Sequence, residues 1–242
     1  MDSDCGSRWA SRPKRGRTCS SPGRGRRAWA EHSSAEATLN DIAGIMTLAP
    51  VIPVLVIDDA AQARPIAEAL VAGGIRALEV TLRTPAALDV IAEMAKVEGA
   101  VVGAGTVTNE AQLKSAIDAG ARFIVSPGLT EALGKPAIAS GIPFLPGTAN
   151  AADIMFGMDL GLSHFKFFPA EANGGIPALK ALAAPFYQCR FCPTGGVSLA
   201  SAPDWLAIPE VLCVGGSWIV PRKVEDYAAI TTAAKAASQL KA

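Results

Sequence analysis

The chain has 242 residues, half of them hydrophobic and 18% charged, with 22 basic and 22 acidic side chains. That apolar share excludes a wholly disordered chain and is enough for a sizeable core, in one large α/β domain or two small ones. The balanced charge hides two unlike parts: residues 1–34 carry Arg8, Arg12, Lys14, Arg15, Arg17, Arg24, Arg26 and Arg27 against Asp2, Asp4 and Glu31, and the mildly acidic remainder gives no reason to expect nucleic-acid binding.

Residues 1–34 show no apolar periodicity and are dominated by Gly, Pro, Ser and Arg. Such a segment cannot bury enough surface to offset its ordering entropy, so a disordered basic tail is expected. A transit peptide and a basic arm for an anionic partner are the alternatives; Asp2, Asp4 and the Pro-Gly spacing argue against an amphipathic transit helix. A helical pattern begins near Ser34, with Leu39, Ile42, Ile45 and Met46 on one face. The longest early apolar run, 49–57, is interrupted by Pro50 and Pro53 and is far short of the roughly 20 residues needed to span a bilayer.

From residue 51 onward short β-rich runs alternate with amphipathic helical runs. The predicted strands are 51–57, 77–82, 101–106, 122–126, 143–146, 164–169, 190–194 and 211–215, at near-even spacing. Strands alternating with helices imply parallel βαβ units, and eight such units imply a closed (β/α)8 TIM barrel over residues 35–242, following an N-terminal helix. An open doubly wound sheet is the rival, but it gives no reason for eight evenly spaced units. Small and turn residues collect at the strand C-termini, the active-site end of such a barrel.

The second predicted strand reads Leu78-Glu79-Val80-Thr81-Leu82-Arg83. Period two turns Leu78, Val80 and Leu82 toward helices and puts Glu79, Thr81 and Arg83 on the inner face. Two readings stand here: a buried structural ion pair between Glu79 and Arg83, or a site at the barrel mouth. The sixth strand reads Phe165-Lys166-Phe167-Phe168-Pro169, with Lys166 and Phe168 on one face. A lysine among phenylalanines can snorkel to the rim. Alternatively, apolar surroundings favour the neutral amine, which can attack a ketone and form a Schiff base. Together an amine, a proton-moving carboxylate and a carboxylate-gripping guanidinium suit a 2-oxo acid aldolase.

Metal chemistry is not expected. The histidines are His32 in the tail and His164 on a strand, and neither has a partner in sequence. Of the cysteines Cys5, Cys19, Cys189, Cys192 and Cys213, only Cys189 and Cys192 form a C-x-x-C, and on a strand those two point to opposite faces. An odd count and no secretory segment leave packing thiols as the expectation. Two Gly-Gly segments, Thr194-Gly195-Gly196 and Gly215-Gly216-Ser217, follow predicted strands seven and eight, where barrels frequently bind phosphate.

In order along 48–240, the runs Leu78-Glu79-Val80-Thr81-Leu82-Arg83-Thr84, Gly103-Ala104-Gly105-Thr106-Val107, Ser126-Pro127-Gly128, Phe165-Lys166-Phe167-Phe168-Pro169-Ala170-Glu171, Pro193-Thr194-Gly195-Gly196 and Gly215-Gly216-Ser217-Trp218 resemble the 2-keto-3-deoxy-6-phosphogluconate (KDPG) and 4-hydroxy-2-oxoglutarate (KHG) aldolases. The resemblance implies a cytoplasmic, homotrimeric class I aldolase of the Entner–Doudoroff pathway, without cofactor or metal, acting on a phosphorylated 2-oxo sugar acid and not on nucleic acid or membrane. The expected reaction cleaves 2-dehydro-3-deoxy-6-phosphogluconate to pyruvate and glyceraldehyde 3-phosphate, and also 4-hydroxy-2-oxoglutarate to pyruvate and glyoxylate. By motif position Lys166 is the Schiff-base lysine and Glu79 the proton shuttle. Arg83, Thr106, Pro127, Phe168 and Thr194 are substrate contacts; Gly195, Gly196, Gly215, Gly216 and Ser217 are phosphate contacts. The basic tail and Thr148-Ala149-Asn150 depart from the family pattern, so the galactonate epimer, or hydroxyoxoglutarate as main substrate, stays open. A phosphate-binding isomerase on the same fold is a further rival.

Overall fold

The computed structural model describes residues 41–240. The tail, Cys5, Cys19, His32 and the expected start of the first helix near Ser34 and Leu39 lie outside the described residues. The strands are β1 Val51–Leu55, β2 Ala77–Thr81, β3 Val101–Gly105, β4 Phe123–Val125, β5 Phe144–Leu145, β6 Gly147–Thr148, β7 His164–Phe167, β8 Arg190–Pro193 and β9 Val214–Gly216. The helices are α1 Ile42–Met46, α2 Ala63–Ala72, α3 Ala87–Met94, α4 Glu110–Asp118, α5 Glu131–Ala139, α6 Ala151–Asp159, α7 Gly175–Ala183, α8 Ala202–Leu206 and α9 Tyr227–Ser238. Every strand pairing is parallel, in a six-stranded sheet of order β5-β4-β3-β2-β1-β9 and a three-stranded sheet β6-β7-β8.

Alternation along the strands sorts the core into two layers. Val51, Leu78, Val80, Ile124, Phe165 and Phe167 join the large cluster packed against the helices. Ile52, Ala77, Val101, Phe123, Val125, Leu145, Cys192 and Cys213 form a second cluster with Ile45 and Met46 of α1. That inner cluster draws on β1 to β5 and also on β8, which a flat sheet cannot do, so the parallel sheet is curled. A five-residue helix has no stability of its own. Burying Ile45 and Met46 completely supplies about 1.5–3 kcal/mol each, so packing holds α1 against the strand N-termini. Asp41 caps it, accepting a hydrogen bond from Gly44 N at 2.6 Å.

The expected fifth strand is longer than the sequence pattern indicates and is interrupted. Leu145 pairs with β4, whereas Gly147 and Thr148 pair with β7. Pro146 lies between them and brings no N–H to either neighbour; its carbonyl accepts from Lys166 N at 2.8 Å. Thr148-Ala149-Asn150 leads into α6, where Asn150 accepts from Asp153 N and Asp153 accepts from Ala149 N, a reciprocal cap. Most other predicted strands overrun their C-termini by one or two residues, and those residues belong to the loops that build the site.

Candidate active site

Lys166 sits on the inner face of β7. Its neighbours Phe165 and Phe167 point outward: the Phe165 ring covers Gly157 of α6 and lies 6.3 Å from Phe191, and the Phe167 ring lies 6.4 Å from Trp205 of α8. Two aromatic anchors thus fix the strand that carries one amine. On either side of Lys166 stand Gly147 of β6 and Cys192 of β8. Glu79 stands on the inner face of β2, beside Val54 and Gly103. The two side chains meet: Lys166 Nζ donates to Glu79 Oε1 at 3.1 Å, and each side chain is only 4% exposed. Lys166 Nζ also lies 5.4 Å from the Phe168 ring centroid.

The space around the pair is made by small residues. A Cβ on Gly105 would collide with the Glu79 carboxylate, and one on Gly147 with the Pro127 carbonyl. Thr81, also buried, donates its hydroxyl to Leu55 O at 2.8 Å and so ties β2 to β1 beneath the site.

Arg83 departs from the sequence expectation. It lies beyond the end of β2, which stops at Thr81, and Arg83 N turns back to donate to Thr81 O at 2.8 Å. The partner of Glu79 is therefore Lys166. Arg83 stands exposed at the rim and donates from Nε to Thr106 Oγ1 at 3.2 Å. Thr106 follows β3 with φ of +61°, a left-handed conformation rare for a β-branched residue and costing of order 1–3 kcal/mol. The turn aims its hydroxyl at Arg83 instead of continuing the strand.

A cleft of about 100 Å³ is lined by Val54, Arg83, Phe168, Thr194, Gly195, Gly196, Val197, Gly215 and Ser217. It gathers five of the six residues expected after predicted strands seven and eight, all but Gly216, together with Arg83 and Phe168. Gly216 is set back, its Cα covered by the Trp218 ring, and Gly215 lies against the Thr194 side chain. Pro127 is exposed past the end of β4 and does not line this cleft. Val54 and Val197 were missed in the sequence; the alternation of β1 was the available signal for Val54.

His164 starts β7, half-buried at the end near α1. Burial lowers its pKa, and the Asp41 carboxylate opposes that shift. Cys189, just before β8, packs in the outer core and Cys192, on β8, in the inner one. Beside Cys192, the Cys213 thiol is pushed well above the ordinary range by that neighbour and by burial. Cys189, Cys192 and Cys213 are free and buried. Among the described residues no three metal-ligating side chains gather, and no helix is long and apolar enough to cross a membrane.

The family model for KDPG and KHG aldolase matches residues 42–233. The chain belongs to the KDPG and KHG aldolase family. It is 61% identical over 203 residues to the 2-dehydro-3-deoxy-phosphogluconate aldolase of Zymomonas mobilis, covering 84% of this chain and 98% of that one. A crystal structure of the Zymomonas mobilis 2-keto-3-deoxy-6-phosphogluconate aldolase with 3-phosphoglycerate superposes at a TM-score of 0.82, with 61% identity over 84% of this chain and 97% of that chain. The KDPG aldolase of Legionella pneumophila, with pyruvate captured at low pH as a covalent carbinolamine intermediate, superposes at 0.80 with 44% identity, covering 82% and 98%. The family match begins after the basic tail, and aldolase relatives bind both kinds of ligand that the amine pocket and the glycine-lined cleft suggest.

Proposed function

We propose that this protein is a class I aldolase that cleaves 2-dehydro-3-deoxy-6-phosphogluconate to pyruvate and glyceraldehyde 3-phosphate, and 4-hydroxy-2-oxoglutarate to pyruvate and glyoxylate. The observation that carries the reading is the buried contact between Lys166 Nζ and Glu79 Oε1. A buried ion pair is a poor stabilising device, because desolvation offsets the attraction. It is well suited to moving protons to and from an attacking amine.

Lys166 attacks the C2 ketone, and the carbinolamine loses water to give the iminium, which serves as electron sink. Glu79 supplies a proton to the departing water and takes one from the C4 hydroxyl as the C3–C4 bond breaks. The aldehyde leaves, the enamine is protonated at C3, and hydrolysis frees pyruvate and Lys166. Arg83, with Thr106 beside it, holds the pyruvyl carboxylate, and Phe168, Pro127 and Thr194 bound the substrate. Gly195, Gly196, Gly215, Gly216 and Ser217 form the phosphate end, supported by their placement around one cleft for all but Gly216. The galactonate epimer stays within reach of the same chemistry, since it differs at one hydroxyl.

The two sheets are best read as arcs of one (β/α)8 barrel, with β5 and β6 a single strand broken at Pro146. Bridges Phe191–Val211 and Thr194–Gly215 support closure between β8 and β9. Residues 35–242 form the catalytic unit and 1–34 lie outside it. A homotrimer working in the cytoplasm, in the Entner–Doudoroff pathway, follows from the family resemblance.

Incubation with pyruvate and borohydride tests the reading. A reduced pyruvyl group should appear on Lys166 by peptide mass, and Lys166→Ala should lose both the adduct and cleavage of both substrates. An adduct on another lysine would overturn the assignment.

A further inference from the structure

We propose that Glu171 is a positioning residue for phosphate recognition, tying the Gly195–Gly196 loop to the loop after β7 and to α8. The proposal rests on the reading of that loop as the phosphate end of the site. Ala170 N donates to Thr194 O at 2.8 Å, and Glu171 N donates to Gly195 O at 3.0 Å. Across a trans peptide the C=O and the following N–H point in opposite directions. Anchoring those two carbonyls on the β7 side therefore turns the N–H groups of Gly195 and Gly196 away from it, toward the cleft both residues line. Neither N–H donates to a backbone acceptor among the described residues. Both glycines have positive φ, +101° and +86°, a backbone that residues with a Cβ adopt only under strain.

The Glu171 side chain completes the strap. Its Cβ and Cγ lie over the Cα of Gly196, so close that a Cβ on Gly196 would stand 2.5 Å from Glu171 Cγ. Its Oε1 accepts from Trp205 Nε1 at 3.1 Å. Trp205 is fully buried, its ring 6.4 Å from that of Phe167, the neighbour of Lys166, and tilted 50° to it. The carboxylate is turned to the indole and is absent from the cleft lining. Direct contact with a phosphate would be repulsive, so the residue serves by shape and hydrogen bonding, not by charge.

The test measures Glu171→Ala and Glu171→Gln in the full chain. Steady-state kinetics use 2-dehydro-3-deoxy-6-phosphogluconate and 4-hydroxy-2-oxoglutarate, and calorimetric titration measures inorganic phosphate directly. Glu171→Ala should raise KM for the phosphorylated substrate and weaken phosphate binding by about three- to tenfold, the net contribution of one hydrogen bond. KM for hydroxyoxoglutarate, which has no phosphate, should not move. Glu171→Gln keeps the methylenes and a carbonyl that accepts from the indole, so it should restore both values. Equal losses on the two substrates, or a Gln variant as impaired as Ala, overturns the proposal. If the wild type cleaves neither substrate while phosphate binding still falls in Ala and returns in Gln, the aldolase reading fails and the role of Glu171 stands.

Discussion

Replacing Glu79 by Gln isolates proton transfer from everything else in the site. The amide has the shape of the carboxylate, and its oxygen can still accept from Lys166 at the 3.1 Å now seen. Gly105 leaves room for a group of that size and no more, so the amide stays where the carboxylate was. What disappears is the base. Loss of a positioned acid–base group costs about 10²–10⁴-fold in rate, or about 2.7–5.4 kcal/mol of transition-state stabilisation. Leaving a buried ammonium without its counter-charge costs up to about 3–5 kcal/mol of stability, which for a chain of this size lowers Tm by roughly 6–20 °C. Assays at 25 °C, with near-UV circular dichroism as the folding check, therefore separate the two losses. The decisive assay is exchange of the pyruvate methyl protons with deuterated solvent, followed by NMR, because enamine formation uses the same proton transfer without any C–C cleavage. Exchange should fall with kcat while KM changes little. Exchange at the wild-type rate would show that the base lies elsewhere and that Glu79 only partners Lys166.

Three other perturbations probe different parts of the site. Ser217→Asp places a negative charge on the cleft lining, so kcat/KM for the phosphorylated substrate should drop at least tenfold more than for hydroxyoxoglutarate, roughly the effect of a like-charge contact of 1.4 kcal/mol; equal losses would point to general disruption. Gly105→Ala drives a methyl group into the Glu79 carboxylate and should cost about 1–3 kcal/mol in denaturant unfolding, with a loss of kcat out of proportion to it; wild-type kcat would mean that the carboxylate need not sit there. His164 has a lowered folded-state pKa, so below the ordinary histidine range near 6.5 the unfolded chain binds more protons than the folded one. Its contribution therefore destabilises the fold as pH falls through that range and vanishes above it. His164→Gln should flatten that part of the stability–pH curve, and an unchanged slope would assign it to other groups.

Strand alternation alone was enough to turn Lys166 and Glu79 inward, because period two follows from backbone geometry. It could not place Arg83, since alternation holds only while the strand lasts and β2 stops at Thr81. The same limit explains the overrun at Thr106, whose left-handed backbone no propensity would assign to a threonine. The break at Pro146 reflects a change of hydrogen-bonding neighbour, which depends on where two other strands lie. The meeting of Lys166 with Glu79, 87 residues apart, likewise needed the curvature of the sheet. The Glu171 strap was invisible in sequence because it depends on which side of a loop faces α8.

The apolar floor made by Ile45, Met46 and the strand N-termini lies at one end of the strands, and the loops carrying Arg83, Thr106, Gly195 and Ser217 lie at the other. Substitutions at the floor change folding energy, while substitutions in those loops change what is bound. A library confined to the loops could thus explore new aldehyde partners while drawing on a reserve of stability that it leaves untouched. Selection can work on the two ends at separate rates, one held by packing and the other free to diversify.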